Sequence, residues 1–478
     1  MTDLASIHRI GVHVPKLRLP HSVIAEAMAW TSAPGRTRAR GARAICNWDE
    51  DALTMGVEAG RAALDPNLAP QSIVFCSTTA PFLDRDDAVA LAAALDFPQA
   101  IETLNVGASV RAATQGLISV LRRADRLPTL LVASDARLTR AGSPQETSYG
   151  DAAAALLLGA SGPTALATIV AARSLSSDFV DHYRMSGSKF DYALEERWVR
   201  DESLMELVPR AVSELLASAE LSADAVRHLA LPAGAATAKR VAQACGLQAA
   251  QRDERVLAQC GDAGAALPLL MLSAALETAA PGEMIVAVGI GQGVDALLLR
   301  AEPGVRTAGQ PLADALARKR DETSYVRYLS HRGLLDVDFG MRAERDHRTA
   351  HTVAYRKRSA LSAFNGGRCQ RCATVQFPLA RVCVNPECRA TDTQMPHRLA
   401  ESRGRVKSFT EDWQAYAARP PYLYGNVEFA EGGNLFMEFT DIDPGELKVN
   451  TAVRFVYRIK DEDKQRGFRR YFWKATTA

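Results

Sequence analysis

The sequence predicts a layered α/β region over residues 1–305, then a four-cysteine metal ribbon, then a small all-β barrel. Three observations carry that prediction. Through residue 305, apolar strand-like runs alternate with Ala- and Leu-rich helical runs, which puts helices on both faces of mixed sheets. Cys369, Cys372, Cys383 and Cys388 then stand as C-x2-C, ten residues, C-x4-C. Behind them come five short alternating runs separated by turn residues.

In chain order, SIVFCSTT (72–79), TLLVASDA (129–136), AAAALLLGA (152–160), HLALPAG (228–234), MIVAVGIG (284–291) and VDALLLRAE (294–302) are near-continuous apolar runs. Strands covered on both faces need that composition. Between them, ALTMGVEAGRAAL (52–64), AVALAAAL (88–95), ATQGLISVLRRA (113–124) and ALPLLMLSAALETA (266–279) read as helices. The pattern runs twice and breaks near residue 170, giving similar halves over 1–170 and 171–305. Residues 306–360 carry five more basic than acidic side chains. They read as a solvated helical linker, or alternatively as a surface for a phosphate or an acidic neighbour.

The cysteines define a ribbon over 361–395. Gly366 and Gly367 ahead of them, and Pro378 and Pro386 between them, supply tight turns that can bring four sulfurs to ~2.3 Å from one zinc ion. The second pair is wider than C-x2-C, with Asn385 and Pro386 in the extra length. Four Cys ligands leave no open position, so the zinc is expected to be structural. Over 396–478, GRVKSFTEDW, YGNVEFAE, NLFMEFTD, AVRFVYRIK and FRRYFWKA alternate and are rich in β-branched and aromatic residues, as the strands of a small closed barrel are. Phe455, Tyr457, Tyr471 and Phe472 read as barrel core rather than as base-stacking platforms, so nucleic acid is not an expected partner.

Composition bounds the class. A chain of 478 residues allows two to four folding units at ~150 residues each. Hydrophobic residues at 47% and charged residues at 23% are soluble-globular values, and a net charge of +2 makes no demand for nucleic acid or an anionic membrane. The opening residues MTDLASIHRIGVHVP lack a basic stretch followed by an apolar run, and no segment reaches the ~18 apolar residues of a spanning helix. The expectation is a cytoplasmic protein without membrane partners. Cys46, Cys76, Cys245 and Cys260 are scattered, as reduced thiols are.

The strings NWDEDALTMGVEAGRAAL, IVFCSTTAPF, ASDARLTRAGSPQETSYGDAAAALLLGA and CGDAGAALPLLMLSAALETAAPGEMIVAVGIGQGVDALLL, in that order, resemble the condensing enzymes of the thiolase superfamily. The likeness is to hydroxymethylglutaryl-CoA synthase and ketoacyl synthase III, over about residues 5–303. A zinc ribbon feeding a small barrel resembles the ribbon/OB-fold modules that accompany acyl-CoA-processing members of that superfamily. The resemblance implies a duplicated, layered α/β/α/β/α fold followed by a zinc ribbon and an OB-fold barrel. It also implies a coenzyme A thioester as substrate and a homodimer.

The same resemblance locates the reactive positions. The family's nucleophilic Cys, in a string like A-C-x-A-A-T, falls on Val110 of Ala108-Ser109-Val110-Arg111-Ala112-Ala113-Thr114, with Ser109 adjacent as a displaced candidate. The family's histidine falls on Leu231 or Pro232, its asparagine on Asp262, and its glutamate on Thr79. Asp262 is expected either to move a proton or to cap the helix starting near Ala265. Gly289, Gly291 and Gly293 allow close backbone approach to a ligand, or simply make a turn. Tyr149, and the segment from Tyr183 to Tyr192, offer phenols that could donate a proton. Cys76 reads as a buried strand residue. Arg38, Arg40 and Arg43 in the loop TRARGARA (37–44) are candidates for the CoA phosphates, as the family uses basic loops near this region.

Three functions follow. The first is an aldolase-type lyase that makes or breaks a bond beside the carbonyl of a β-hydroxyacyl-CoA without an acyl-enzyme, as thiolase-like proteins paired with ribbon/OB partners include. The second is a catalytically silent acyl-CoA-binding scaffold or partner of an active thiolase. The third is an acyltransferase, a hydroxymethylglutaryl-CoA synthase-like condensing enzyme with an unusual nucleophile.

Overall fold

A computed structural model describes residues 4–31, 40–123, 125, 127–304 and 311–478. The chain forms two compact units. The first is Met1–Cys46, Asp51–Ala88 and Ala100–Tyr328, and the second is Asn47–Glu50, Val89–Gln99 and Leu329–Ala478.

The first unit is built on one nine-stranded sheet of β1 (Ala5–His13), β2 (Ser72–Cys76), β3 (Glu102–Val106), β4 (Thr129–Ala136), β5 (Asp151–Gly159), β6 (Ala167–Ser176), β7 (Val226–Ala230), β8 (Met284–Ile290) and β9 (Gly293–Ala301). The strand order is β7-β8-β9-β6-β1-β5-β4-β2-β3. β2 runs parallel to β4, β4 antiparallel to β5, and β5 antiparallel to β1. The path then repeats: β7 is parallel to β8, β8 antiparallel to β9, and β9 antiparallel to β6. The two four-strand sets meet where Ala5–Ile7 pairs antiparallel with Ala167–Ile169. This is the duplicated α/β fold expected from the sequence, with the break falling ahead of β6.

Apolar periodicity decides which helices cover the sheet. α1 (Ala52–Ala63) opens on a capping box: Asp51 accepts the Thr54 amide at 3.0 Å while the Thr54 hydroxyl accepts the Asp51 amide at 2.8 Å. α2 (Ala112–Leu121) and α3 (Leu207–Ser218) bury one apolar face each. α4 (Leu267–Thr278) is buried from Leu267 through Leu276, so a helix apolar all round sits inside the core. No helix among the described residues is long and apolar enough to cross a membrane.

The stretch read as a solvated linker is not a continuous helix. It contains the short helices Pro311–Ala317, Tyr325–His331, His351–Arg356 and Arg358–Leu361. Leu312, Ala315 and Leu316 share one helical face and are buried in the core of the first unit, and Arg320–Asp321 pairs with Leu17–Pro20. The surrounding charges hid that face in the sequence.

In the second unit the ribbon strands are β10 (Asn365–Cys369), β11 (Val375–Gln376) and β12 (Gln394–Arg398), with β10 central. The barrel strands are β13 (Gly404–Asp412), β14 (Tyr422–Phe429), β15 (Asn434–Glu438), β16 (Ala452–Asp463) and β17 (Phe468–Thr477), in the order β15-β14-β13-β16-β17. A bridge from Phe439 to Ala475, with the Thr440 amide donating to the Ala475 carbonyl at 2.9 Å, brings the far edges together. Phe455, Tyr457 and Tyr471 are buried, and Phe472 is half-buried against Phe364. Core packing thus uses the aromatic residues of these strands.

Candidate functional site

The site of the first unit is built at the start of α2. After β3 the chain turns through Ala108, at φ 68°, and Ser109 to Val110 and Arg111. The Arg111 guanidinium is buried and ties this turn to the β8–β9 loop: Nη2 donates to the Gln292 carbonyl at 3.2 Å, and Nη1 to the Leu175 carbonyl at 2.9 Å. Asp295 lies 3.4 Å from Nη1 and accepts the Thr114 hydroxyl at 2.8 Å and the Ser174 hydroxyl at 2.5 Å. Burial pushes the Asp295 carboxyl up despite these donors.

Gly291 lies directly on Ser109 and Val110. Its φ is 147°, and a Cβ there would stand 2.9 Å from Ser109 Oγ and 3.0 Å from Val110 Cγ2. Gly289 makes a different close approach, since its missing Cβ leaves room for the Thr114 side chain. The glycines thus bring the β8–β9 loop down onto the first turn of α2. Backbone amides of a helix start and a glycine loop are chemically suited to a thioester or enolate oxygen. Ser109 Oγ accepts the Arg111 amide at 3.2 Å.

Asp262 stands one residue ahead of the N-cap position of the turn that leads into α4. Ala263 and Ala266 occupy the N-cap positions of Gly264–Ala266 and α4, and neither cap uses a side chain. The Asp262 backbone bridges to residues 148–150, its amide donating to the Ser148 carbonyl at 2.7 Å and its carbonyl accepting the Gly150 amide at 2.9 Å. Its Oδ1 accepts the Gly264 amide at 2.8 Å, and its Oδ2 lies 2.9 Å from Arg137 Nη1. Arg137 is buried, with its guanidinium carbon 3.3 Å from the centre of the Tyr149 ring and Nη2 donating to Asp191 at 3.1 Å. Burial raises the Tyr149 phenol well above its usual range although Arg137 opposes it, so the phenol stays protonated.

The same cluster contains a pair that sequence reasoning missed. His182 Nδ1 lies 3.1 Å from Asp181 Oδ2, and Asp181 Oδ1 accepts Gln292 Nε2 at 2.9 Å. Gln292 sits between Gly291 and Gly293, so the Asp-His pair is fastened to the loop that covers Val110. Burial lowers the His182 pKa, but the hydrogen bond and charge of Asp181 outweigh it and hold the imidazole above its ordinary 6.5. The signal available in sequence is the Asp181-His182 dipeptide beside Tyr183. Tyr183 and Tyr192 are exposed and lie against each other, 5.5 Å between ring centres, in the strand pair that carries His182.

The remaining candidates fall elsewhere. The Thr79 hydroxyl donates to Asp135 at 2.9 Å and accepts the Ala136 amide at 2.8 Å. Asp135 is buried and also receives Ser77, Thr78 and the Ala265 amide. Leu231 is buried and Pro232 half-buried. Cys76 is fully buried and its thiol is pushed far up by desolvation. Arg43 is not a phosphate ligand: it lies in the strand Ala42–Ile45, is fully buried, and donates to Thr139 Oγ1 at 2.9 Å and to the Arg137 carbonyl at 3.1 Å. Arg40 is exposed, and Arg38 lies outside the described residues.

In the second unit, the four ribbon cysteines converge. Their sulfurs all lie within 4.8 Å of one another, with Cys369 and Cys388 3.9 Å apart and Cys372 and Cys383 3.6 Å apart. Thiolates at ~2.3 Å around a tetrahedral zinc would be about 3.8 Å apart, so the donor set fits that ion.

Comparison with known proteins agrees with both parts of the chain. Residues 397–458 match the family described as the ChsH2 C-terminal OB-fold domain. Hydroxymethylglutaryl-CoA synthase of Aeropyrum pernix is 29% identical over 350 residues, covering 70% of this chain and 95% of that protein. A DUF35 domain-containing scaffold protein of Methanothermobacter thermautotrophicus is 28% identical over 115 residues, covering 23% of this chain and 82% of its own. The structure of MvaS in complex with 3-hydroxy-3-methylglutaryl coenzyme A superposes with a TM-score of 0.59 at 18% identity, covering 70% of this chain and 93% of that one. The chain therefore joins a thiolase-like region, similar to hydroxymethylglutaryl-CoA synthase, to a C-terminal OB-fold domain.

Proposed function

We propose that the chain makes or breaks a carbon–carbon bond beside the carbonyl of a CoA thioester without forming an acyl-enzyme, as an aldolase-type lyase acting on a β-hydroxyacyl-CoA. The observation that carries this reading is the contact of Gly291 with Val110 at the start of α2. An isopropyl group stands at the position that the family resemblance gives to the thiol, while the backbone groups suited to a thioester oxygen remain around it. Valine cannot be acylated. Retro-aldol cleavage needs no nucleophile, only a base for the β-hydroxyl proton and donors for the enolate oxygen.

Similarity to hydroxymethylglutaryl-CoA synthase supports a CoA thioester as the ligand class, and the compound held by MvaS is itself a β-hydroxyacyl-CoA. Exposed Arg40 is the remaining described candidate of the basic loop for the CoA phosphates. Zinc in the ribbon holds that module together and takes no part in the reaction, and the working form is a homodimer.

A condensing reaction through an acyl-enzyme is the second reading, favoured by the similarity spanning 95% of the Aeropyrum pernix synthase. It would need Ser109 to act, and that hydroxyl accepts the Arg111 amide at 3.2 Å. The test is incubation of the full chain with a panel of β-hydroxyacyl-CoAs, following release of an aldehyde or ketone and a shorter acyl-CoA. Cleavage supports the lyase, a condensed product through a serine ester supports the second reading, and no turnover on any member of the panel leaves an acyl-CoA-binding scaffold.

A further inference from the structure

We infer that His182, held by Asp181, is the group that moves the proton in this reaction, and that Asp262 positions Arg137 rather than transferring a proton. The inference rests on the lyase reading above and adds its acid–base residue. Three observations converge on it.

First, the pair is joined to the covering loop. Asp181 uses one carboxylate oxygen for His182 Nδ1 and the other for Gln292 Nε2, and Gln292 follows the glycine that touches Val110. Among the described residues, Nε2 of His182 has no hydrogen-bond partner, and the side chain is 19% exposed. An imidazole anchored at Nδ1 by a carboxylate, with Nε2 open, is oriented to exchange a proton with a ligand.

Second, both Asp262 oxygens are occupied. One takes the Gly264 amide and the other the buried Arg137 guanidinium. Arg137 is held from its other side by Asp191 at 3.1 Å, so the Asp262 carboxylate is one of two anchors that fix the guanidinium over the Tyr149 ring.

Third, charged groups of both signs face His182. Asp181 and Asp191 favour its charged form, and Arg137 and burial oppose it. The net effect is upward, which favours the protonated imidazole that returns the proton to carbon, while Arg137 and burial oppose it.

The step balances without an added reagent. His182 Nε2 takes the β-hydroxyl proton, and the O–H electron pair becomes the second bond of the departing carbonyl. The Cα–Cβ bond breaks, and its electrons enter the thioester as an enolate. The imidazolium then returns the proton to Cα, releasing a shorter acyl-CoA.

The test uses the full chain with His182→Gln, Asp181→Asn and Asp262→Asn, each checked by a melting curve and assayed on the β-hydroxyacyl-CoA that the wild type cleaves best. His182→Gln is expected to lower kcat by ~100-fold or more with KM changed less than about threefold, and Asp262→Asn to lower kcat by less than about tenfold. Asp181→Asn removes a neighbour that favours the imidazolium, so the rising limb of the pH–rate profile is expected to move to lower pH by about one unit. That shift decides the matter if His182→Gln does not fold. Near-normal kcat in a folded His182→Gln, or an unmoved limb in Asp181→Asn, overturns the assignment and leaves the lyase reading intact. A wild type that cleaves nothing overturns both.

Discussion

Arg137 holds the carboxylate of Asp262 at 2.9 Å while lying over the Tyr149 ring, so two positions 113 residues apart in sequence share one buried cation. The resemblance to the thiolase-like condensing enzymes implies a neutral asparagine at this position. The charge at that position is matched by a guanidinium that Asp191 also holds, at 3.1 Å. Replacing Asp262 by Asn is therefore expected to cost about 1–2 kcal/mol, since the carboxylate side of the pair is partly exposed. Chemical denaturation of the variant measures it, and an unchanged midpoint would contradict the pairing.

The ribbon prediction concerns metal. Cys369→Ser and Cys383→Ser each remove one donor from a closed four-sulfur set. Each variant is expected to lose most of one equivalent of zinc and to melt at least about 5 °C lower. Elemental analysis beside a melting curve checks both, and full zinc retention with an unchanged melting point in both variants would rule out the site.

Glu438 supplies a pH dependence in the barrel unit. Burial raises its pKa, but Lys474, at 3.3 Å, and Lys460 outweigh burial and bring the carboxyl down to about 2 from an ordinary 4.5. A folded value below the unfolded one means that the stabilisation is present above the unfolded pKa and is lost as pH falls through the folded pKa. The contribution is about 3 kcal/mol at neutral pH. The stability advantage of the wild type over Glu438→Gln is expected to shrink between pH 5 and ~2.5. An advantage that stays constant over that range would contradict the assignment.

Sequence carried the interior strands well because they are continuous apolar runs. Thr129–Ala136 appears with the bounds expected, and Asp151–Gly159 is buried along its whole length. The strands Ala5–His13 and Ala167–Ser176 escaped because polar residues interrupt them, and Glu102–Val106 because it is an edge strand with three exposed positions. The glycine run through Gly291 is visible in sequence, and the fold lays it against Val110. The place of His182 is not visible there, because its tie to the site runs through Gln292, whose bond to Asp181 spans 111 residues with no periodicity to announce it. Arg43 misled for the converse reason: an Arg-rich loop looks solvated, yet pairing of Ala42–Ile45 with Leu17–Pro20 turns that one side chain inward.

The proposed carbon–carbon chemistry proceeds without an acyl-enzyme, and intact-protein mass spectrometry during turnover is the test of that. Wild type and Val110→Cys are incubated with acyl-CoAs of several chain lengths. The wild type is expected to carry no acyl adduct at any time, while Val110→Cys, with a thiol restored under Gly291, is expected to accumulate one. A stoichiometric wild-type adduct, mapped to Ser109 or to any other residue, would contradict the account.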